Sequence, residues 1–263
     1  MRLFWELVKV AFQQQLSYRA TTLAGLATNI FFGLLRVAVL VALYGAQQEV
    51  AGLSVTDAIT FTGLSQAVIA YLAIFGWYEV MRSVSAGDVA ADLLKPMDYY
   101  LFWLARDMGR ATASFLLRGL TIMAFYALLF EITVPDRAEQ WLALVIALML
   151  GLLVSFSYRF LVNLAAFWSP NAQGVGRFAF GLAWTMSGFF MPLRFFPDWF
   201  VALCNLTPFP SMVNTIIEIY LGKLVGVALL QALLGQMFWF VLLTAASQVV
   251  LRAGVHRLVI QGG

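Results

Sequence analysis

The sequence reads as an all-α polytopic membrane protein with six transmembrane helices, an N-terminal amphipathic interface helix and a re-entrant region before the last span. Three observations predict this class. The chain is 62% hydrophobic and only 11% charged, with a mean hydropathy of +0.87, whereas a soluble domain carries about 25% charged residues to build its exterior. Several runs approach the roughly 20 apolar residues that a spanning helix needs. The 263 residues suit about six such spans with short loops, and no stretch is long or polar enough for a separate soluble domain.

Residues 1–20 are not a span. Arg2, Glu6, Lys9, Gln13 and Ser17 recur at helical spacing as a polar stripe. Leu3, Phe4, Leu7, Val8, Ala11 and Phe12 lie away from it, with Trp5 at the boundary. That pattern describes a helix lying in the membrane interface with its basic groups toward head groups; packing on the other spans is the plain alternative. No cleavable signal peptide is expected, since a continuous apolar core and a small-residue cleavage site are both missing. The spans fall at about 21–45, 57–80, 111–130, 141–168, 176–192 and 225–250. Between them lie a polar link "GAQQEVAGLSVTD", a charged stretch over 81–110, "EITVPDRAEQ" with Pro135, and the turn "SPNAQGVGR". An irregular region over 193–222 follows, with Pro197, Pro208 and Pro210 among aromatics. The domain division is thus an interface helix 1–20, a transmembrane domain 21–251, and a basic tail 252–263.

Lys and Arg set the orientation. With the N-terminus inside, Arg2, Lys9, Arg19, Arg82, Lys95, Arg106, Arg110, Arg159, Arg177, Arg252 and Arg257 fall on the cytoplasmic side, and only Arg137, Arg194 and Lys223 fall outside. Positive charge is retained on the inner face, so both termini are expected in the cytoplasm. The net charge of +3 reports that orientation rather than a nucleic-acid partner. The single cysteine, Cys204, excludes an internal disulfide and reads as a packed thiol.

Catalytic signatures are missing. The sequence has no G-x-x-x-x-G-K-[ST] to hold a nucleotide and no H-E-x-x-H. The sole histidine, His256, cannot make a metal site alone. Gly174 and Gly176 form a lone G-x-G that marks a turn, and "GKLVG" at 222–226 is a weak small-residue motif at a span edge. Arg36 is the one full charge placed well inside an expected span. Such a residue is a functional candidate by default, although its stem can instead snorkel outward. At a dimer seam it would meet an anionic substrate group or an acid such as Glu218; Gln66, Asn29 and Asn163 are weaker candidates.

The stretch "GDVAADLLKPMDYY" interrupts the apolar chain with three carboxylates and a lysine ahead of a proline. Ser85, Gly87 and Asp88 are helix-start signals. Pro96 disfavours helical geometry at Lys95 and stops the helix after about two turns. So short a helix is not stable alone and must dock on something. Val89 and Leu93 form an apolar edge, Asp88 and Asp92 an acidic one, four residues apart. Either the apolar edge packs on the protein's own spans, or the knob enters a groove on a partner.

"GDVAADLLKPMDYYLFW" resembles the cytoplasmic loop of ABC-2 type transporter permeases, in particular the six-span branch described as ABC-2 family transporter protein. "SGFFMPLRFFPDWFVALCNLTPFP" and the terminal "GG" resemble further features of that branch. The resemblance implies a non-enzymatic permease subunit of an ATP-binding cassette exporter in a bacterial inner membrane. It implies a second permease, identical or related, and two copies of a cytoplasmic ATPase. No cofactor is expected on this chain, with ATP and magnesium on that partner. Gly87, Asp88, Asp92, Leu93, Leu94, Lys95 and Pro96 would form the coupling helix, residues 193–222 would cap the exit as re-entrant helices, and Arg36, Gln66 and Glu218 are candidates for the translocation path. A non-transporting scaffold is the rival class. A secondary transporter is disfavoured because its ion-binding acids belong near the midplane, and the carboxylates here sit at expected span ends.

Overall fold

The computed structural model describes residues 2–74, 76–169 and 172–257. Its first element, α1 (Arg2–Ser17), turns Phe4, Leu7, Val8 and Ala11 toward a neighbouring helix and leaves Leu3, Trp5, Val10 and Leu16 exposed. The chain breaks at Tyr18 and re-enters a helix at once as α2 (Arg19–Tyr44). At 1.5 Å per residue, its 26 residues span about 39 Å. Asn29, Gly33, Val37, Leu40 and Tyr44 bury one stripe of α2. Leu23, Phe31, Phe32, Leu35, Val39 and Leu43 stay exposed on its other faces.

A two-residue hairpin follows, β1 (Glu49–Val50) antiparallel to β2 (Leu53–Ser54), with Val50 opposite Leu53. Ala51 and Gly52 turn it with φ of 49° and 77°. Ser54 then caps α3 (Val55–Leu72). Its hydroxyl accepts the Asp57 N–H at 3.0 Å, and the Asp57 carboxylate accepts the Ser54 N–H at 3.2 Å. This reciprocal pairing satisfies two of the donors a helix start leaves open. α3 is the central helix, buried on nearly every face. Its Thr60 and Thr62 hydroxyls bond back to carbonyls four residues earlier, at 2.8 Å and 2.9 Å, so polar side chains are tolerated there.

α3 ends at Leu72, with Ala73 in the left-handed region at φ 51°. The second span expected over 57–80 therefore stops early, and its remainder is an irregular link leading to α4 (Glu79–Ala86). Gly87, at φ 82°, reverses the chain into α5 (Val89–Leu93). Asp98 caps α6 (Tyr99–Ser114) by accepting the Leu101 N–H at 3.0 Å. α6 passes through a π turn at Phe115–Gly119 into α7 (Leu120–Leu129), making one uninterrupted helix, Tyr99–Leu129. The third expected span thus begins at Tyr99 rather than at 111. The polar residues that argued for a loop, Asp107 and Arg110, pair with one another instead of seeking water.

α8 (Ala138–Asn163) continues as a 3-10 turn to Phe167. α9 (Ala172–Met186) has 15 residues, about 22 Å, short of the roughly 30 Å hydrocarbon layer. It occupies most of the fifth expected span, 176–192. The region after it holds a 3-10 turn (Leu193–Phe195), α10 (Asp198–Asn205) and α11 (Asn214–Tyr220), the last packed on α8 and α3. α12 (Gly226–Val255) closes the described chain against α8. Among the described residues, five helices are long and apolar enough to cross a membrane: Arg19–Tyr44, Val55–Leu72, Tyr99–Leu129, Ala138–Phe167 and Gly226–Val255. The expected turn "SPNAQGVGR" is mostly helical: residues 172–177, with Gly174 and Gly176, open α9. Pro170 and Asn171 and the terminal Gly262 and Gly263 lie outside the described residues.

Two packed regions hold these helices. One surrounds α3 with Leu72, Val154, Met212 and Ile217. The other is aromatic: Trp77, Tyr99, Tyr100, Trp103, Phe156 and Phe160 meet mostly edge-to-face, with Tyr100 and Phe160 centroids 5.1 Å apart, a geometry that suits ring quadrupoles. α1 lies across α6 at Gly109, where a built Cβ would sit 2.2 Å from the Val8 carbonyl oxygen. Only glycine permits that approach. The apolar face of α1 therefore packs on the protein itself, while its second apolar edge stays open.

Candidate functional site

The stretch over residues 87–96 forms a knob with a buried root. Val89 is 1% exposed and joins the aromatic region, with Leu93 packed beside it. Asp92 turns inward: it accepts the Ser83 hydroxyl at 2.8 Å and pairs with Lys95 at 2.6 Å. The Lys95 ammonium also lies 3.9 Å from the Phe102 ring centroid. Outward, Gly87, Asp88, Leu94 and Pro96 are exposed, Leu94 at 86%. The structure therefore divides the seven residues singled out in the sequence. Leu93, Asp92 and Lys95 fasten the knob to α4 and α6, and the other four present its surface. The Val89–Leu93 edge is taken up internally, leaving Leu94 as the apolar group free to meet something else.

Beneath the knob lies an ion cluster the sequence did not suggest. Arg159 on α8 and Asp107 on α6 are both fully buried. The guanidinium donates to both Asp107 oxygens, at 3.1 Å and 2.6 Å, and its Nε donates to Ser155 at 3.2 Å. Arg110 adds a third bond to Asp107 at 2.9 Å and a fourth to the Tyr71 carbonyl at 3.0 Å. One turn further along α8, Asn163 accepts the Met81 N–H at 3.1 Å and donates to the Trp77 carbonyl at 2.7 Å. The link between α3 and α4 is thus pinned to α8. Knob, link and ion cluster form one connected inner block joining α4, α5, α6 and α8. Sequence reasoning placed Arg159 on the inner flank because it stands near the end of a long span; the spacing of Asp107 and Arg110 on one helical edge was the only available signal.

Three cavities, successive ones sharing lining residues and here taken together as a groove, lie between this block and α2. The inner part, about 210 Å³, is walled by Gln15, Glu79, Arg106 and Arg110. The middle part, about 260 Å³, shares Gln15 and Arg110 with it and adds Asn29, Ile69 and Arg118. The far part, about 360 Å³, shares Asn29 and Ile69 and adds Phe32, Arg36, Gln66, Phe189 and Phe190. Arg118 comes from the π turn, an irregularity frequent at functional sites. It donates to the Asn29 side chain at 3.1 Å and lies against the bare backbone of Gly25. Asn29 in turn donates to the Gln66 carbonyl at 3.1 Å.

Arg36 donates to the carbonyls of Phe189 and Phe190, the latter at 3.0 Å, and stacks 4.6 Å from the Phe189 ring centroid. Arg36 and Gln66, both named from sequence, therefore share one cavity. Glu218 does not join them. It accepts Arg194 Nε at 2.9 Å, and Arg194 also donates to the Ala51 carbonyl at 3.1 Å. The suggested Arg36–Glu218 pair is replaced by this one, which ties α11 to the hairpin. Among the described residues no group of three or more His, Cys, Asp or Glu side chains is arranged to hold a metal.

Compared with known families, residues 30–262 match one described as ABC-2 family transporter protein. Comparison with curated proteins finds no match.

Proposed function

The chain belongs to the ABC-2 transporter family and is a membrane permease component, and we propose that it is the spanning subunit of an ATP-driven exporter. In this reading α9 and the segment after it complete a sixth span. Residues 193–222 cap the path on the outer side, where irregular backbone is tolerated because it is buried in protein. Both termini face the cytoplasm, following the positive-charge asymmetry. A second permease, identical or related, completes the path. The knob over Gly87–Pro96 docks in a separate ATPase, which binds ATP and magnesium and supplies the free energy.

The observation that carries this reading is the division of the knob: a root fixed in the aromatic region and a free surface ending in Leu94 at 86% exposure. Leu94 follows directly on Val89 and Leu93, which are packed inward, so it is the apolar side chain that the knob holds out for a partner's groove. A force on Leu94 and Asp88 reaches α6 and α8 through Val89, the Ser83–Asp92 bond and the Asp107–Arg159 pair, because packed interiors transmit displacement rather than absorb it. The test is co-purification of the full chain with its cognate ATPase. Leu94→Asp combined with Asp88→Lys should leave the permease folded and inserted, while the ATPase is lost from the complex and transport stops. Unchanged association and transport would remove the coupling assignment.

A further inference from the structure

We propose that the groove along α2 binds the anionic head of an amphiphile, with Arg118 and Arg36 as two successive contact points; the inference rests on the permease reading for its place in transport. The starting observation is a division among the arginines. Arg110 and Arg159 share the Asp107 carboxylate. Arg118 and Arg36 have only neutral partners, an asparagine amide and two backbone carbonyls. Among the described residues no carboxylate lies within ion-pair distance of either. A guanidinium in a spanning segment is costly without a counter-charge.

The atoms left over point to what is missing. Arg36 Nε and Nη1, Arg118 Nε and Gln66 Nε2 are shielded and have no hydrogen-bond partner, and Gln66 as a whole is 2% exposed. All four are donors. These four unpartnered atoms, with the charge of the two guanidiniums, suit an anion with several acceptor oxygens, such as a phosphate, sulfate or carboxylate.

The long helices of a second copy of this chain offer no free carboxylate. Of its thirteen carboxylates, three fall within the five long helices: Asp57, Asp107 and Glu139. Asp57 is held by Lys223 at 2.9 Å, Asp107 by two arginines, and Glu139 stands in a first turn at the helix end. Within the spanning helices a ligand is the source of counter-charge that this arrangement leaves open.

The groove also specifies a tail. Beside Arg36 the wall is Phe32, Ile69, Phe189 and Phe190, and the α2 flank outside it exposes Phe31, Leu35 and Val39. An alkyl chain can lie along this surface while its head meets a guanidinium. Asn29, which Arg118 bonds, and Arg36 stand seven residues apart on α2, about 10 Å along the helix. The head group can therefore pass from one cation to the next without an uncompensated interval much longer than its own width.

The test is direct binding to the purified full-length chain in neutral maltoside detergent, with dodecyl phosphate as probe and isothermal titration as readout. Saturable binding of dodecyl phosphate is expected, with dodecyl phosphocholine at least about tenfold weaker because its head is neutral overall. Arg36→Gln and Arg118→Gln should each weaken dodecyl phosphate by about tenfold, the value of one charge-assisted contact. Arg36→Lys and Arg118→Lys should retain most of the affinity, and Arg252→Gln, on an exposed position of α12, should bind as the parent does. Equal binding of the two amphiphiles by the parent protein overturns the proposal, and this comparison requires no variant to fold. Parent-like binding by the Arg36→Gln/Arg118→Gln double variant overturns it as well. Displacement by inorganic phosphate at matching concentrations would show a free-anion site and overturn the amphiphile. No ATPase enters this assay, so its failure leaves the co-purification test of the permease reading untouched.

Discussion

Removing charge from the buried Asp107 cluster should produce a ranking that only its geometry explains. Two guanidiniums and one carboxylate leave one excess positive charge. Asp107→Asn would strand two cations near each other with no counter-ion, and losing one member of a buried pair costs about 3–5 kcal/mol. Arg159→Met would leave Asp107 with Arg110, whose side chain is 18% exposed; Met fills part of the space, so about 1–3 kcal/mol is expected. Arg110→Gln would leave the bidentate Arg159–Asp107 pair intact and remove the excess charge, at the loss of its bonds to Asp107 and the Tyr71 carbonyl, for about 1–2 kcal/mol. Pairing Asp107→Asn with Arg159→Met should recover about 1–3 kcal/mol relative to the sum of the singles, because the double variant no longer buries the second cation. The assay is unfolding in mixed micelles by titrated dodecyl sulfate, followed by circular dichroism. If Arg110→Gln costs as much as Asp107→Asn, or if the two mutations add without interaction, the cluster does not hold α6 to α8 as described.

Other outcomes follow from separate contacts. Gly109→Ala places a methyl where the Val8 carbonyl now lies at 2.2 Å; it should lift α1 from α6, cost about 1–3 kcal/mol, and raise hydrogen exchange over residues 2–17 while leaving α8 protected. Gly63→Val sets new atoms against the Tyr126 ring, already 2.8 Å from a built Cβ; a lowered melting temperature by differential scanning fluorimetry is expected, and no change would show that α7 does not press on α3 there. Cys204 is fully buried, so maleimide should label the native protein slowly and the dodecyl-sulfate-denatured protein fast; equal rates would contradict that placement. In a Cys204→Ser background, Leu94→Cys and Asp136→Cys both occupy exposed positions; an impermeant maleimide added to whole cells should label only the second, and the reverse result would invert the orientation.

Much of this fold was legible because lipid constrains sequence more tightly than water does. The long apolar runs announced α2, α3, α8 and α12, since a bilayer admits few alternatives to a helix. Pro96 and Gly87 announced the knob's two ends, as local backbone rules require only neighbours in sequence. What escaped was set by partners far along the chain. Asp107 and Arg110 read as loop residues because the second partner of Asp107, Arg159, stands 52 positions away. Asp92 read as one of two outward acids, and Ser83 and Lys95 turn it inward. Glu218 read as a counter-ion for Arg36, whereas Arg194 reaches it first. Arg36 and Gln66 were visible singly, but their sharing of a cavity with two aromatic carbonyl-bearing residues depends on a turn that composition does not encode.

The arginines divide by partner: Arg159 has a carboxylate, and Arg36 and Arg118 have only neutral groups. Where a guanidinium has its carboxylate, as Arg159 does, the pair is satisfied at 2.6 Å and 3.1 Å and has nothing to gain from a ligand; its role is to hold helices in register. Where a guanidinium has only neutral oxygens, as Arg36 and Arg118 do, binding an anion relieves a standing electrostatic cost. Arg36 stands on α2, whose outer faces expose Phe31, Phe32, Leu35 and Val39, and Arg118 on the π turn, while the satisfied pair stands between α6 and α8 in the buried block. Under the proposed coupling, a shift of that block driven from the knob would move Arg110 and Arg118 together, because α6 and the π turn are one helix. Arg36 belongs to a different helix and is anchored to the Phe189–Phe190 turn. The spacing between the two unsatisfied cations is therefore the coordinate that a push on the knob would change, and an anion shared between them would be gripped or released as it does.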